Sequence, residues 1–322
     1  MDIKLWAAAS VVAAASVGVA QAQTAQQGKL SNDVLRIGVL TDISGVYADI
    51  SGKGAVEAVK MAVEDFGGKM FGKPIEVVFA DHQNKADVGA AKAREWYDSG
   101  NVDMINDLAN SGVALAVAGV AKEKKRHAIV NNASNVGVTN AQCSPYTVHY
   151  TYDAYSLANG TGKAIVEGGG DTWFLLTVDF AFGIGLEQQV GDVVRANKGR
   201  VVGAARHPLG TTDFSSYVLQ AQASKAKIIG LASTGNDTIN AIKAANEFGL
   251  TKSQKLAALL LWIQDVHALG LPVAQGLQLT NAWYWDMNDE TRAFAKRYQQ
   301  RVGGQMPNMA HAGDYSSTMH YL

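Results

Sequence analysis

The chain has 322 residues, 48% hydrophobic and 18% charged, enough to bury the core of one large or two modest domains. A formal net charge of −1 lacks the basic excess that nucleic-acid binding requires, so no nucleic-acid partner is expected. A single cysteine, Cys143, excludes an internal disulfide and leaves packing to hold the fold.

The first residues read as an address rather than as structure. Lys4 precedes an unbroken run of small and apolar residues from Trp6 to Val19, and Ala20-Gln21-Ala22 is a small-x-small cleavage pattern. Residues 1–22 are therefore expected to be a secretory signal peptide, and residues 23–33 a polar leader. The apolar run is shorter than the roughly 20 residues that span a bilayer.

From Leu35 the chain alternates strand and helix. Leu35, Ile37, Val39 and Leu40 form an apolar run suited to a buried parallel strand. A Gly/Ser/Asp-rich loop follows, then Val56, Val59, Val63 and Phe66 at helical spacing. Strands are expected at 75–80, 103–106 and 128–130, and helices at 88–97 and 112–125. This rhythm is that of a doubly wound parallel sheet. The passage from Asn131 to Tyr152 carries no helical pattern and reads as a crossing into a second lobe. Beyond it, a helix capped by Asp153 runs to Val166. Strands are expected at 173–178, 201–206, 227–232, 256–262 and 277–283. The helices between and after them are expected at 184–197, 214–223, 239–248, 290–302 and from Tyr315 onward. Lobe 1 is assigned to 34–150 plus 285–322 and lobe 2 to 151–284, with crossings near 149–152 and 282–286. Two such lobes imply a cleft lined by strand ends from both.

Reaction chemistry is not legible. There is no G-x-G-x-x-G after a strand, no phosphate-binding P-loop and no G-x-S-x-G elbow, so no cofactor is expected. The seven histidines show no metal-ligand spacing, so no metal is expected either. Cys143, beside Ser144-Pro145, reads as an unreactive loop residue. Asp107, Asp179 and Asp237 follow strands, where they are expected to cap helices rather than to catalyse. The chain reads as a binder, not an enzyme.

The stretches RIGVLTDISGVYADISGKGAVEAVKMAVEDFGG, FADHQNKADVGAAKAREW, VNNASN and VDFAFGIGLEQQV, in that order, resemble the periplasmic substrate-binding proteins of ABC importers, in the branched-chain amino-acid binding branch. The resemblance runs from about Leu35 to the end. It implies a type I periplasmic binding fold of two hinged lobes. Family members run on past Leu322, so the C-terminal part is expected to be missing. It also implies a periplasmic, monomeric carrier that delivers a small carboxylate to an inner-membrane permease.

The resemblance places carboxylate contacts on two loops, here Asp107-Leu108-Ala109-Asn110-Ser111-Gly112 and Asn132-Ala133-Ser134-Asn135, with Ser111, Ala133 and Asn135 at or beside the contacting positions and Asn110 and Ser134 expected to bind with them. Small residues before helix starts suit an anion. Ser44 and Tyr47 on the first loop, Tyr152 at the crossing, and Phe182, Thr234 and Trp262 in lobe 2 complete the expected ligand-binding set, and Phe180 and Trp283-Tyr284-Trp285 are aromatic residues clustered at the same loops. Amino-acid binders of the family carry an acidic residue for the ligand's ammonium, where this chain has Leu260-Leu261-Trp262. An ammonium buried without a partner is costly, so the expected ligand is an aromatic or hydrophobic carboxylate without an amine. Asp265, close by, is the one residue that could restore the ammonium role. A branched-chain amino-acid carrier and a ligand-sensing module for a membrane receptor are the alternatives.

Overall fold

The computed structural model describes Leu30 and residues 32–322; the expected signal peptide and most of the polar leader lie outside the described residues. Strand β1 (Leu35–Thr41) feeds helix α1 (Gly52–Asp65). A short hairpin, β2 (Lys69–Met70) and β3 (Lys73–Asp81), leads to α2 (Ala86–Asp98). Then come β4 (Met104–Asp107), α3 (Ser111–Lys124), β5 (His127–Val130) and β6 (Thr147–His149). These strands form one six-stranded sheet in the order β2-β3-β1-β4-β5-β6, parallel except for the hairpin.

The central strand β1 is buried on both faces, which explains its continuous apolar run. Gly38 lets Trp96 of α2 lie directly on the sheet: a Cβ there would stand 2.5 Å from the indole. On the other face Val56, Val59 and Val63 of α1 pack over Ile37 and Val39.

The chain then builds a second sheet. Helices α4 (Ala154–Leu157) and α5 (Ala164–Glu167) are one continuous rod, joined by a wide π-helical stretch at Ala158–Lys163. Asp153 Oδ1 caps it by accepting from Ser156 N at 2.7 Å. Next come β7 (Thr172–Val178), α6 (Ala181–Ala196), β8 (Arg200–His207), α7 (Ser215–Ala223), β9 (Ile228–Ala232), α8 (Asn236–Glu247), β10 (Lys255–Ala258), α9 (Ile263–Leu269) and α10 (Leu271–Ala274). The four strands are parallel in the order β10-β9-β7-β8.

The last helices, α11 (Asp289–Gln299) and α12 (Met309–Tyr321), return to the first sheet. Arg297 pairs with Asp65 of α1 at 2.6 Å, and the Tyr315 hydroxyl donates to the same carboxylate at 2.8 Å. Asn106 Nδ2 of β4 donates to Thr318 Oγ1 of α12 at 2.9 Å.

Two expected strands differ. The segment 277–283 makes a single bridge, Gln278 to Ala257, and no ladder. Its polar groups are taken individually instead, Thr280 Oγ1 by Thr161 Oγ1 at 2.8 Å and Ala282 N by Met309 Sδ at 3.4 Å. The strand expected to reach Trp262 stops at Ala258, because the buried run Leu259–Trp262 turns away to start α9.

The three aspartates expected as caps do other things. Helix α3 is capped by Asn110, whose Oδ1 accepts from Gly112 N at 2.8 Å and Val113 N at 3.2 Å, while Asp107 accepts from the Ser51 hydroxyl at 2.6 Å. Asp237 sits inside the first turn of α8 and accepts from Gly210 N at 3.1 Å. Asp179 lies opposite Arg206 at 3.9 Å, and Phe180 is the residue at the start of α6. In each case a partner distant in sequence competes successfully with the nearby amides.

Candidate functional site

A cleft with about 260 Å³ of empty space lies where the carboxyl ends of the two sheets meet. Helix starts surround it. Ile50 precedes α1, Ser111 opens α3, Phe180 and Phe182 stand at the start of α6, Thr234 precedes α8, and Trp262 precedes α9. The positive ends of these helices converge on a space whose lining contains no Asp, Glu, Lys, Arg or His.

The wall from the first sheet is polar and small. The Ser134 amide donates to Ser111 Oγ at 3.4 Å, tying the loops after β4 and β5 together. The Ala133 carbonyl accepts from His149 Nε2 at 2.7 Å, and the Ser134 carbonyl accepts from Ala154 N at 2.7 Å. Among the described residues, the amides of Ser111 and Ala133 donate to no protein group. Ser134 Oγ is buried and unpartnered, and so is Tyr47 Oη. Asn132 Nδ2 makes no hydrogen bond of ordinary geometry, although it lies close enough to Asp107 to favour that group's charged form.

The opposite wall is aromatic. Trp262 stands edge-on to Tyr152 at 5.9 Å between centroids and 75° between planes, and its Nε1 donates to Thr234 Oγ1 at 2.7 Å. Phe180 and Phe182 lie 5.8 Å apart at the mouth of α6. The Tyr152 hydroxyl reaches Asn132 Oδ1 at 3.3 Å, so the crossing residue touches both walls.

Behind the polar wall, Asp107 is wholly buried and its backbone takes φ 78°, with Leu108 at φ 64°. Burial pushes its carboxyl up to about 7, against the opposing pull of the hydroxyls of Ser51 and Thr41. Asp314 of α12 is buried beside it, with both oxygens unpartnered among the described residues and a pKa raised well above the ordinary value by burial and by Asp107. No group of three or more metal-ligating side chains occurs among the described residues.

Of the sequence-derived set, Tyr47, Asn110, Ser111, Ala133, Ser134, Tyr152, Phe182, Thr234 and Trp262 are brought together around the cleft. Two are not. Ser44 donates to Asp81 Oδ2 at 2.5 Å on the rim, because Asp81 organises that loop. Asn135 is turned to the second lobe, with Nδ2 donating to the Ala181 carbonyl at 2.8 Å and Oδ1 accepting from Gly137 N at 2.9 Å. Asp265 does not line the cleft; its carboxylate accepts from Trp262 N at 3.1 Å and is pushed up to about 7 by burial. Trp283 packs on Phe294 instead, at 5.8 Å. Sequence reasoning missed Ile50, which the Gly/Ser pattern of the first loop concealed. Ala109 and Asn132 lie on the two expected carboxylate loops, Phe180 in the expected aromatic cluster and Leu260 in the apolar segment that stands where the family has an acidic residue, and all four line the cleft.

The chain matches the Periplasmic binding protein family over residues 34–322. It is similar to a periplasmic binding protein from Burkholderia mallei: 57% identity, TM-score 0.88, with 90% of this chain and 77% of that chain covered. It is also similar to a branched chain amino acid ABC transporter periplasmic ligand-binding protein from Burkholderia xenovorans LB400, with 42% identity, TM-score 0.78 and coverage of 89% and 77%. A solute binding protein of an ABC transporter from Rhodopseudomonas palustris HaA2, in complex with p-hydroxybenzoic acid, is 25% identical with TM-score 0.80 and coverage of 88% and 78%. A curated Leu/Ile/Val-binding protein homologue of Brucella melitensis matches at 25% identity over 224 residues, 69% of this chain, and the match spans 56% of its own length. With the match running through both sheets and the cleft between them, the chain belongs to the periplasmic binding protein family, of the type I fold.

Proposed function

We propose that this chain is an extracytoplasmic solute-binding protein that delivers a small carboxylate, aromatic or hydrophobic and without an amine, to an ABC-type import permease. The observation that carries the reading is the uncharged lining of the cleft. Helix starts and unpaired amides favour an anion on one wall, and no acidic side chain stands ready for an ammonium. The aromatic wall suits a flat ring, each offset or edge-on contact adding about 0.5–1.5 kcal/mol. The p-hydroxybenzoic acid complex of the Rhodopseudomonas relative agrees with this class.

Ligand captured by one lobe favours closure of the other, and the closed form is what a permease recognises. The proposed hinges are near 149–152 and 282–286, between lobe 1 (34–150 plus 285–322) and lobe 2 (151–284). No bond is made or broken. Periplasmic location, export by residues 1–22 and a monomeric state belong to the same proposal.

The test is calorimetry of the full chain against benzoate, hydroxybenzoates, phenylpropanoids, leucine, isoleucine and valine. Binding of the aromatic acids is expected. Tight leucine binding with no response to any aromatic acid refutes the reading and favours the branched-chain carrier, to which the names of the Burkholderia xenovorans and Brucella relatives point.

A further inference from the structure

Tyr47 is only 4% exposed, and its hydroxyl is buried without a partner among the described residues. The residue is fixed from several sides. Its amide donates to Asp42 Oδ2 at 2.9 Å, and its carbonyl accepts from the amides of Ile50 and Ser51, each at 3.1 Å. Asp42 is in turn held by Gly45 N at 2.8 Å. The ring lies against Gly235 of the second sheet's side, where a Cβ would come within 3.9 Å of Tyr47 Cδ1, and shares one core cluster with Tyr152, Phe182 and Trp262. Tyr47 also lines the cleft.

The neighbouring acids do not satisfy it. Both oxygens of Asp237 accept from Gly210 N, and Asp42 serves backbone amides and Asn84. Burial, with Asp237, Tyr152 and Asp42 nearby, raises the hydroxyl's pKa well above the ordinary value, so it stays a neutral donor. A buried donor of this kind is a cost in the empty protein that a matching acceptor removes. Tyr47 belongs to the loop after β1, whereas Ser111, Ala133 and Ser134 belong to the loops after β4 and β5.

Resting on the carboxylate reading of the cleft, we propose that Tyr47 is a specificity-determining residue that hydrogen-bonds a second oxygen of the ligand, a ring hydroxyl carried away from the carboxylate. The preferred class is then the hydroxylated aromatic acids over the bare ones. A phenolic hydroxyl meets Tyr47 as acceptor and keeps its own proton to donate. A methyl group of similar size leaves Tyr47 unsatisfied, and sites built this way reject the analogue that lacks the polar group.

The experiment is calorimetry of the full chain with benzoate, 3- and 4-hydroxybenzoate, and the corresponding methylbenzoates. The wild type is expected to bind one hydroxybenzoate at least tenfold more tightly than its methyl isostere. Tyr47→Phe should erase that ratio. Benzoate binding with no preference for a hydroxyl overturns this inference and leaves the carboxylate reading standing. A preference that survives in Tyr47→Phe overturns it equally. Failure of every aromatic acid to bind overturns both. The absence of any hydroxyl preference in the wild type overturns the inference even if the variant folds poorly.

Discussion

The indole Nε1 of Trp262 donates to the Thr234 hydroxyl at 2.7 Å, binding the turn before α9 to the turn before α8. This bond sets the plane of the ring that closes the aromatic wall, and Tyr152 packs edge-on against it. Thr234→Val should leave a buried N–H unsatisfied, a cost of about 1–3 kcal/mol. The expected outcome is a lower denaturation midpoint and a several-fold weaker aromatic-acid affinity. Trp262→Leu removes the ring itself and should weaken that affinity by about tenfold or more. Equal affinity in both variants and wild type would remove Trp262 from the site.

Leu260→Glu places a carboxylate in a lining that has none. Repulsion between two buried like charges, with water excluded, should abolish benzoate binding up to millimolar concentration. The same variant should gain calorimetric heat with leucine, whose ammonium now has a partner. Retained benzoate binding would show that the carboxylate of the ligand lies far from Leu260.

Asn135 bridges the lobes through its bond to the Ala181 carbonyl at 2.8 Å. Asn135→Ala removes that bond and the turn contact to Gly137, without touching the cleft lining. Closure should be less favourable, so stopped-flow measurements should show faster ligand release, about threefold to tenfold, with the association rate little changed. A change confined to the association rate would contradict a closing role.

Stability should fall as pH rises above about 6.5. Burial raises Asp107 and Asp265 to about 7, Asp237 to about 6, and Asp314 well above its ordinary value. An acid raised in the folded state contributes most below its unfolded value of 3.8, and that contribution is lost as pH climbs through the folded value. His82 and His311 run the other way: burial lowers both from 6.5 to about 4, so they cost stability below 6.5 and nothing above it. The two sets oppose each other between about 4 and 6.5. Above that window only the carboxylates act, so the urea midpoint should drop between pH 6.5 and 8.5. Asp314→Asn should gain on the wild type more at pH 8 than at pH 5. A midpoint independent of pH would mean that the buried acids carry no net linkage.

The alternation of apolar runs and helical spacing determined the βα order by itself, because a strand buried on both faces, such as Leu35–Thr41, has few ways to be written. It also placed Asn110, Ser111, Ala133, Ser134 and Thr234 at strand ends, where a parallel sheet gathers its loops. What the sequence left open was set by competition among partners far apart in the chain. Asp107 faces Ser51 rather than its own helix, Asn135 reaches Ala181 across the lobes, and Ser44 is held by Asp81. Residues 277–283 carry a strand-like pattern, yet side chains of the wide helical turn and of α12 take their polar groups before a ladder forms. Local pattern fixes which backbone states are available. Only the packed chain decides which of several equivalent donors and acceptors lie within about 3 Å of one another, and the cleft is assembled from those choices.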